Sequence, residues 1–232
     1  TQNNTLTLDT LNPGATFGTG TSDSGINVSR NWIYVNASVT ETNPSNITFY
    51  LFNTTGLVNN SLFSMSNQNS NNTINFTSLI DGSYSYNVTI VDLANNRNST
   101  TTRTILLDTL YPGIEFGTGT ENTHVNKSQN WIYVNVSATE TNEKNITFNL
   151  YNTTLVNSTT YTNQGRTINW TGLGDGNYTY NVTIYDYAGN SNNTGTRTIT
   201  LDTTNPNGTL LSPGNGTITN NTIQNYTVNI TD

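Results

Sequence analysis

The sequence predicts an all-β chain of seven-stranded β-sandwiches in tandem, joined by short proline-containing hinges. Three observations predict it. Apolar and polar residues alternate with a period of two in short runs broken by Asn, Gly, Ser and Thr, the pattern of half-buried strands. No stretch carries a helical period. The hexapeptide Leu-Asp-Thr-x-x-Pro occurs at residues 8–13, 107–112 and 201–206, its aspartates 99 and 94 positions apart. That interval is one small domain, so the chain is an array. Proline in the hinge fixes φ and removes a donor, so neither flanking strand pairs through it.

The second repeat shows the pattern most clearly. Residues 114–116 read as a first strand, A. Residues 131–138 read as B, with Ile132, Val134, Val136 and Ala138 on one face. Residues 145–151 are C, facing inward through Ile146, Phe148 and Leu150. Residues 155–161 are a weak D, and 167–170 are E, with Ile168 and Trp170 inward. Residues 177–186 are F, with Tyr178, Tyr180, Val182 and Ile184 inward, and 197–201 are G. Seven short strands in such a length fit a β-sandwich. The first repeat follows position for position through Thr55, carries five extra residues before Leu79, and rejoins at Asp81-Gly82. The expected boundaries are 1–8 for the last strand of a preceding repeat, 9–107 and 108–201 for two full repeats, and 202–232 for the first strands of an incomplete one. Since 1–8 and 202–232 together lack strands C to F, strand exchange between two such chains cannot complete a sandwich. The chain therefore reads as a window cut from a longer array.

The run Leu173-Gly174-Asp175-Gly176-Asn177-Tyr178 resembles the E–F corner of immunoglobulin-like and fibronectin-type domains, in which a tyrosine turns its hydroxyl back onto the preceding backbone. Tyr178 and Tyr84 take that place. With Asp186-Tyr187-Ala188-Gly189-Asn190 and the proline hinge, both repeats resemble tandem Ig-like repeats of prokaryotic surface proteins, and the Asn/Thr-rich flavour resembles archaeal examples. A disulfide-bonded member would place Cys where Tyr180 stands. This chain has no Cys, so its core relies on packing. The resemblance also implies that the start of A, the B–C loop and the F–G loop share one end. It would gather Asp108, Glu140 and Asp186 there, and Asp9, Glu41 and Asp92 one repeat earlier. Clustered carboxylates suit Ca²⁺; the alternative is that each Asp caps its own turn.

Charged residues are 9% of the chain, against about 25% in an ordinary soluble domain. Asn fills 43 positions and Thr 47. The net charge of −7 and the lack of a basic cluster argue against nucleic acid. No apolar run approaches the ~20 residues of a helical membrane span. Asn-x-Ser/Thr triplets, the acceptors of N-glycans on exposed exported segments, occur 24 times, about twice what composition alone gives. Candidate acceptors are Asn27, Asn36, Asn46, Asn53, Asn75, Asn87, Asn126, Asn135, Asn145, Asn152, Asn169, Asn181, Asn207 and Asn225.

Other residues read as architecture. Trp170 belongs to the core, while Trp32 and Trp131 open strand B near a domain end. Arg103 and Arg197 recur on strand G, at a sheet edge, stacked on an aromatic ring or paired with a carboxylate. His124 is the one histidine, lies in a loop and has no partner for nucleophilic or metal chemistry, so the sequence offers no catalytic set. The reading is a structural, glycosylated extracellular protein acting as a stalk or polymerising through exposed sheet edges. The rival readings are an adhesin whose repeats bind a host surface or polysaccharide, and an accessory module of a secreted hydrolase.

Overall fold

The computed structural model describes residues 6–231. Among them every regular element is a strand, and no helix long and apolar enough to cross a membrane is present. In the first repeat the strands are β1 (Gly14–Phe17), β2 (Ile26–Val28), β3 (Ile33–Thr40), β4 (Pro44–Asn53), β5 (Gly56–Ser64), β6 (Thr73–Phe76), β7 (Gly82–Asp92), β8 (Arg97–Ser99) and β9 (Arg103–Leu107). They form a small sheet, β1-β3-β6, and a larger one, β2-β9-β7-β4-β5, with β8 paired to β7.

The second repeat reproduces this with β10 (Gly113–Phe116), β11 (Val125–Lys127), β12 (Trp131–Thr139), β13 (Glu143–Asn152), β14 (Thr154–Tyr161), β15 (Thr167–Thr171), β16 (Gly176–Asp186), β17 (Ser191–Asn193) and β18 (Arg197–Leu201). Its sheets run β10-β12-β15 and β11-β18-β16-β13-β14, with β17 on β16. A hairpin follows, β19 (Asn207–Ser212) against β20 (Thr227–Thr231).

By compactness the chain divides into two units. One runs to Pro112 and takes in Glu140–Lys144 and Tyr185–Ser191. The other holds Gly113–Thr139, Asn145–Ile184 and the chain from Asn192 on.

Each sandwich follows from the two-residue rhythm. In the first, Ile33, Val35 and Ala37 on β3 face Ile47, Phe49 and Leu51 on β4, Tyr86, Val88 and Ile90 on β7, and Ile105 and Leu107 on β9, all buried. Ile132, Val134 and Val136, Ile146, Phe148 and Leu150, Tyr180, Val182 and Ile184, and Ile199 and Leu201 repeat the set in the second. Burying each such side chain stabilises the fold by about 1.5–3 kcal/mol.

The structure adds strands to the seven expected. β2 and β11 are three-residue strands parallel to β9 and β18, and β8 and β17 are also three residues long. Strands this short hold too few alternations to register as a period. Residues 154–161 pair with β13, so they extend the larger sheet and do not join β12 and β15 as a fourth strand would. Of the strand expected over residues 1–8, residues 1–5 lie outside the described residues, and Leu6 to Leu8 are in no strand.

Candidate functional site

Three constructions recur in both repeats. The first ties the Phe-Gly-Thr-Gly-Thr loop to the core. Tyr86 Oη donates to the Ser22 carbonyl at 2.8 Å, and Arg103 Nη1 donates to the same oxygen at 2.7 Å and to Thr21 O at 3.3 Å. The Arg103 guanidinium lies 4.5 Å from the centre of the Phe17 ring, which meets Tyr86 edge-on. In the second repeat Tyr180 donates to Glu121 O at 3.0 Å. Arg197 donates to Glu121 O at 2.6 Å and to Thr120 O at 3.3 Å, over Phe116 at 4.2 Å. Burial pushes both tyrosine hydroxyls above their usual range, and the neighbouring arginines oppose it. The arginines do not lie on an edge strand, because β2 and β11 pair outside β9 and β18. Arg103 also approaches Asp23 at 3.8 Å.

The same loop is held from its other side by an asparagine. Asn36 Nδ2 donates to Thr19 O at 3.0 Å, its backbone N–H to Thr21 Oγ1 at 2.8 Å, and its carbonyl accepts from Gly18 N at 2.8 Å. Asn135 repeats this with Thr118, Thr120 and Gly117. A Cβ on Gly18 would lie 2.8 Å from Asn36 Nδ2, and one on Gly117 3.0 Å from Asn135 Nδ2. A side chain there would press on that asparagine amide, one hydrogen of which is engaged with the loop carbonyl.

The second construction joins the corner to the hinge. Tyr84 Oη donates to Ile80 O at 2.9 Å and Tyr178 Oη to Gly174 O at 3.1 Å. Beside them Asp81 accepts from Thr109 N and Oγ1, both at 3.0 Å. Asp175 accepts from Thr203 N and Oγ1, both at 2.8 Å, and from Thr204 Oγ1 at 2.8 Å. Those hydrogen bonds hold the Asp175 carboxyl below its usual range. The threonines belong to the Leu-Asp-Thr hinge.

The third construction holds the predicted carboxylates. Ligand oxygens of Asp9, Glu41 and Asp92 lie within 4.8 Å of one another. Each also caps its own chain. Asp9 accepts from Leu11 N at 3.0 Å, Glu41 from Asn43 N at 2.8 Å, and Asp92 from Asn96 N and Nδ2, both at 2.8 Å. Asn96 Nδ2 reaches on to Asp9 O at 3.2 Å. One repeat later Asp108 accepts from Leu110 N and Asn142 Nδ2, Glu140 from Asn142 N at 2.7 Å, and buried Asp186 from Asn190 N and Nδ2 at 2.8 and 2.7 Å. Asn190 Nδ2 also donates to Asp108 O at 2.9 Å. Sequence reasoning missed these two asparagines as fasteners. Their signal was the shared spacing of four from Asp92 and Asp186.

The remaining predicted acceptors fall in several settings. Asn53 Oδ1 fastens the β4–β5 turn through Thr55 N, Thr55 Oγ1 and Gly56 N. Asn46 Nδ2 reaches Ser45 Oγ at 3.5 Å, Asn87 Nδ2 reaches Thr102 Oγ1 at 3.2 Å, and Asn181 Oδ1 accepts from Asn149 Nδ2 at 3.1 Å. Asn145 Oδ1 is buried without a hydrogen-bond partner. Asn27 and Asn152 are half-buried, and Asn75, Asn126, Asn169, Asn207 and Asn225 are exposed. Trp170 is buried in the core, whereas Trp32 and Trp131 are exposed, with Arg30 stacked 3.9 Å over Trp32.

Comparison with known proteins agrees with this architecture. A family model described as a bacterial Ig-like domain matches twice, over residues 22–109 and 117–203. No curated protein sequence matches. Among solved structures, the fibronectin(III)-like modules of Clostridium thermocellum CbhA align at 14% identity and a TM-score of 0.43, covering 81% of this chain and 93% of that one. A tetra-tandem repeat from the extending region of a large adhesion protein aligns at 18% identity and a TM-score of 0.35, covering 85% of this chain and 50% of that one. A marsupial T cell receptor aligns at 8% identity and a TM-score of 0.54, covering 86% and 78%, a likeness of fold alone.

Proposed function

The chain belongs to the bacterial Ig-like domain family, in two tandem copies, and from that premise we propose that it is a structural protein of a cell surface, glycosylated, and of archaeal origin. It spaces a distal module from the cell or assembles with other copies into a filament. The observation that carries this reading is the corner-to-hinge clamp. In both copies an Asp at the E–F corner holds the hinge threonine 28 residues on, Asp81 with Thr109 and Asp175 with Thr203. Each repeat thereby stiffens its own exit, which is what a spacer built by concatenation requires. N-linked sugars would keep a surface with so few charges dissolved.

Electron microscopy of the secreted protein tests this. Repeats in line, singly or in bundled fibres, support the reading. Repeats folded back on one another in a compact particle would overturn it. An adhesin is favoured by one observation, the near-parallel pair Tyr50 and Phe52, ring centres 6.2 Å apart. A glycan array probed with the full chain separates the two roles: specific binding abolished by Tyr50→Ala supports an adhesin.

A further inference from the structure

The two sandwiches differ on one flank. In the second repeat Trp170 on β15 is buried, and its Nε1 donates to Asn157 Oδ1 on β14 at 3.1 Å. That contact joins the end strands of the two sheets. In the first repeat Phe76 stands at the matching register, opposite Ile33 as Trp170 is opposite Ile132. Asn59 matches Asn157, opposite Leu51 as Asn157 is opposite Leu150. Phe76 has no N–H to reach across. The flank between β5 and β6 carries a groove of about 390 Å³ lined by apolar Val58, Ile74 and Leu79 and polar Asn59, Ser61, Asn75 and Thr77, with Phe76 and Leu51 buried at its floor. That volume lies in the range of about 300–1,000 Å³ typical of small-molecule sites.

Asn59-Asn60-Ser61 is an Asn-x-Ser triplet. Asn59 is exposed, and its Oδ1 accepts from Ser61 Oγ at 2.9 Å. Its Nδ2 donates to no protein group among the described residues, in contrast to Asn36 and Asn135, whose Nδ2 atoms donate to Thr19 O and Thr118 O. We propose that Asn59 carries an N-linked oligosaccharide whose first pyranose lies in this groove and covers exposed Val58 and half-buried Ile74 and Leu79. The inference rests on the surface-glycoprotein reading above.

The donor is a lipid-phosphate-linked oligosaccharide, used by a membrane oligosaccharyltransferase. A bond forms between Asn59 Nδ2 and the anomeric carbon. The bond from that carbon to the phosphate oxygen breaks, its electron pair leaves with the lipid phosphate, and one Nδ2 proton goes to base. Oδ1 keeps its hydrogen bond from Ser61. The sugar also stands beside the free edge of β5, a strand without charge or proline, and hinders its pairing with another chain.

The test is to secrete the full chain from a host with N-glycosylation and map each Asn by glycopeptide mass spectrometry. Asn59 is expected to be occupied in most molecules, and Asn36 and Asn135 bare. Asn59→Gln and, independently, Ser61→Ala remove the sugar and raise the binding of an apolar fluorescent dye two- to five-fold. Adding Phe76→Trp to Ser61→Ala, which keeps Asn59 as the partner for the indole N–H, returns dye binding to the parent level. Asn59 bare while other triplets carry sugar overturns this inference and leaves the surface reading standing. Every triplet bare overturns both. An occupied Asn59 with unchanged dye binding in both variants overturns the placement of the sugar in the groove.

Discussion

Replacing Tyr180 by Phe and Arg197 by Met, singly and together, measures how the Phe-Gly-Thr-Gly-Thr loop is tied down. Tyr180→Phe keeps the buried ring and its edge contact with Phe116 and loses one hydrogen bond to Glu121 O. An uncharged hydrogen bond contributes about 0.5–1.5 kcal/mol. Arg197→Met loses two charge-assisted hydrogen bonds to the carbonyls of Glu121 and Thr120, and the ring contact at 4.2 Å. We expect about 2–3 kcal/mol for it, since hydrogen bonds to charged groups contribute about 1.5–3 and a cation over a ring about 0.5–2 kcal/mol. Each single variant leaves Glu121 O with one side-chain donor, and the double variant leaves none. Leaving an acceptor unpaired costs about 1–3 kcal/mol. The double variant should therefore exceed the sum of the singles by about 1 kcal/mol. Urea unfolding followed by tryptophan fluorescence in a Trp32→Phe background reports on Trp131 and Trp170, both in the second repeat. Additivity within about 0.5 kcal/mol would show that the two donors do not share that carbonyl and would refute the reasoning.

Burial raises the Tyr86 and Tyr180 hydroxyls above the ordinary value of 10.0. The folded state then holds protons that the unfolded chain releases, so stability is full below pH 10 and falls as pH rises through the folded values. Melting temperatures from pH 8 upward should be flat and then drop, and Tyr86→Phe together with Tyr180→Phe should flatten the drop. The Asp175 carboxyl is held low, chiefly by the Thr203 hydroxyl. Its contribution is therefore present above the ordinary value of 3.8 and lost as pH falls through the folded value. Protection of the Thr203 amide, taken relative to its intrinsic exchange rate at each pH, should fall on acidification, and Asp175→Asn should bring the lowered protection to neutral pH. Millimolar Ca²⁺ should leave the melting temperature of the chain unchanged against a chelator control, because both Asp92 oxygens already accept from Asn96; a rise abolished by Asp9→Asn would refute this.

The larger strands were legible because each presents several alternations. β7 and β16 run eleven residues, and every second side chain from Tyr84 to Ile90 and from Tyr178 to Ile184 is buried. What failed to show was pairing that depends on a neighbour far along the chain. The parallel strand β2 exists only because Ile26 to Val28 meet Ile105 to Leu107, and three residues carry no period. Residues 155–161 read as a strand from the sequence, but their sheet was not legible, since alternation marks a buried face and not the strand beside it. The candidate sites divide the same way. The sequence showed which aspartates recur, and the structure shows Asn96 on the Asp92 carboxylate and Asn190 on that of Asp186. An Asn-x-Ser/Thr triplet does not say whether its amide is engaged, and Asn36 reads the same as Asn59 until its Nδ2 is seen against Thr19.

That distinction bears on the composition. The ion pairs include Arg103 with Asp23 at 3.8 Å and Lys127 with Glu121 at 2.7 Å. Surface pairs of this kind contribute about 0–1 kcal/mol each, too little to fasten the loops and hinges of two sandwiches. Side-chain amides and hydroxyls do that work: Asn36 and Thr21 on one loop, Asn96 on Asp92, Thr109 on Asp81. The abundance of Asn and Thr is therefore partly architectural, and the excess of glycosylation triplets is in part its by-product. A substitution scan separates the two populations. Asn36→Gln and Asn135→Gln should destabilise the unglycosylated chain, since the longer side chain cannot keep its amide on the loop carbonyl beside Gly18 or Gly117. Asn59→Gln should leave the unglycosylated chain's stability unchanged, because that nitrogen holds nothing.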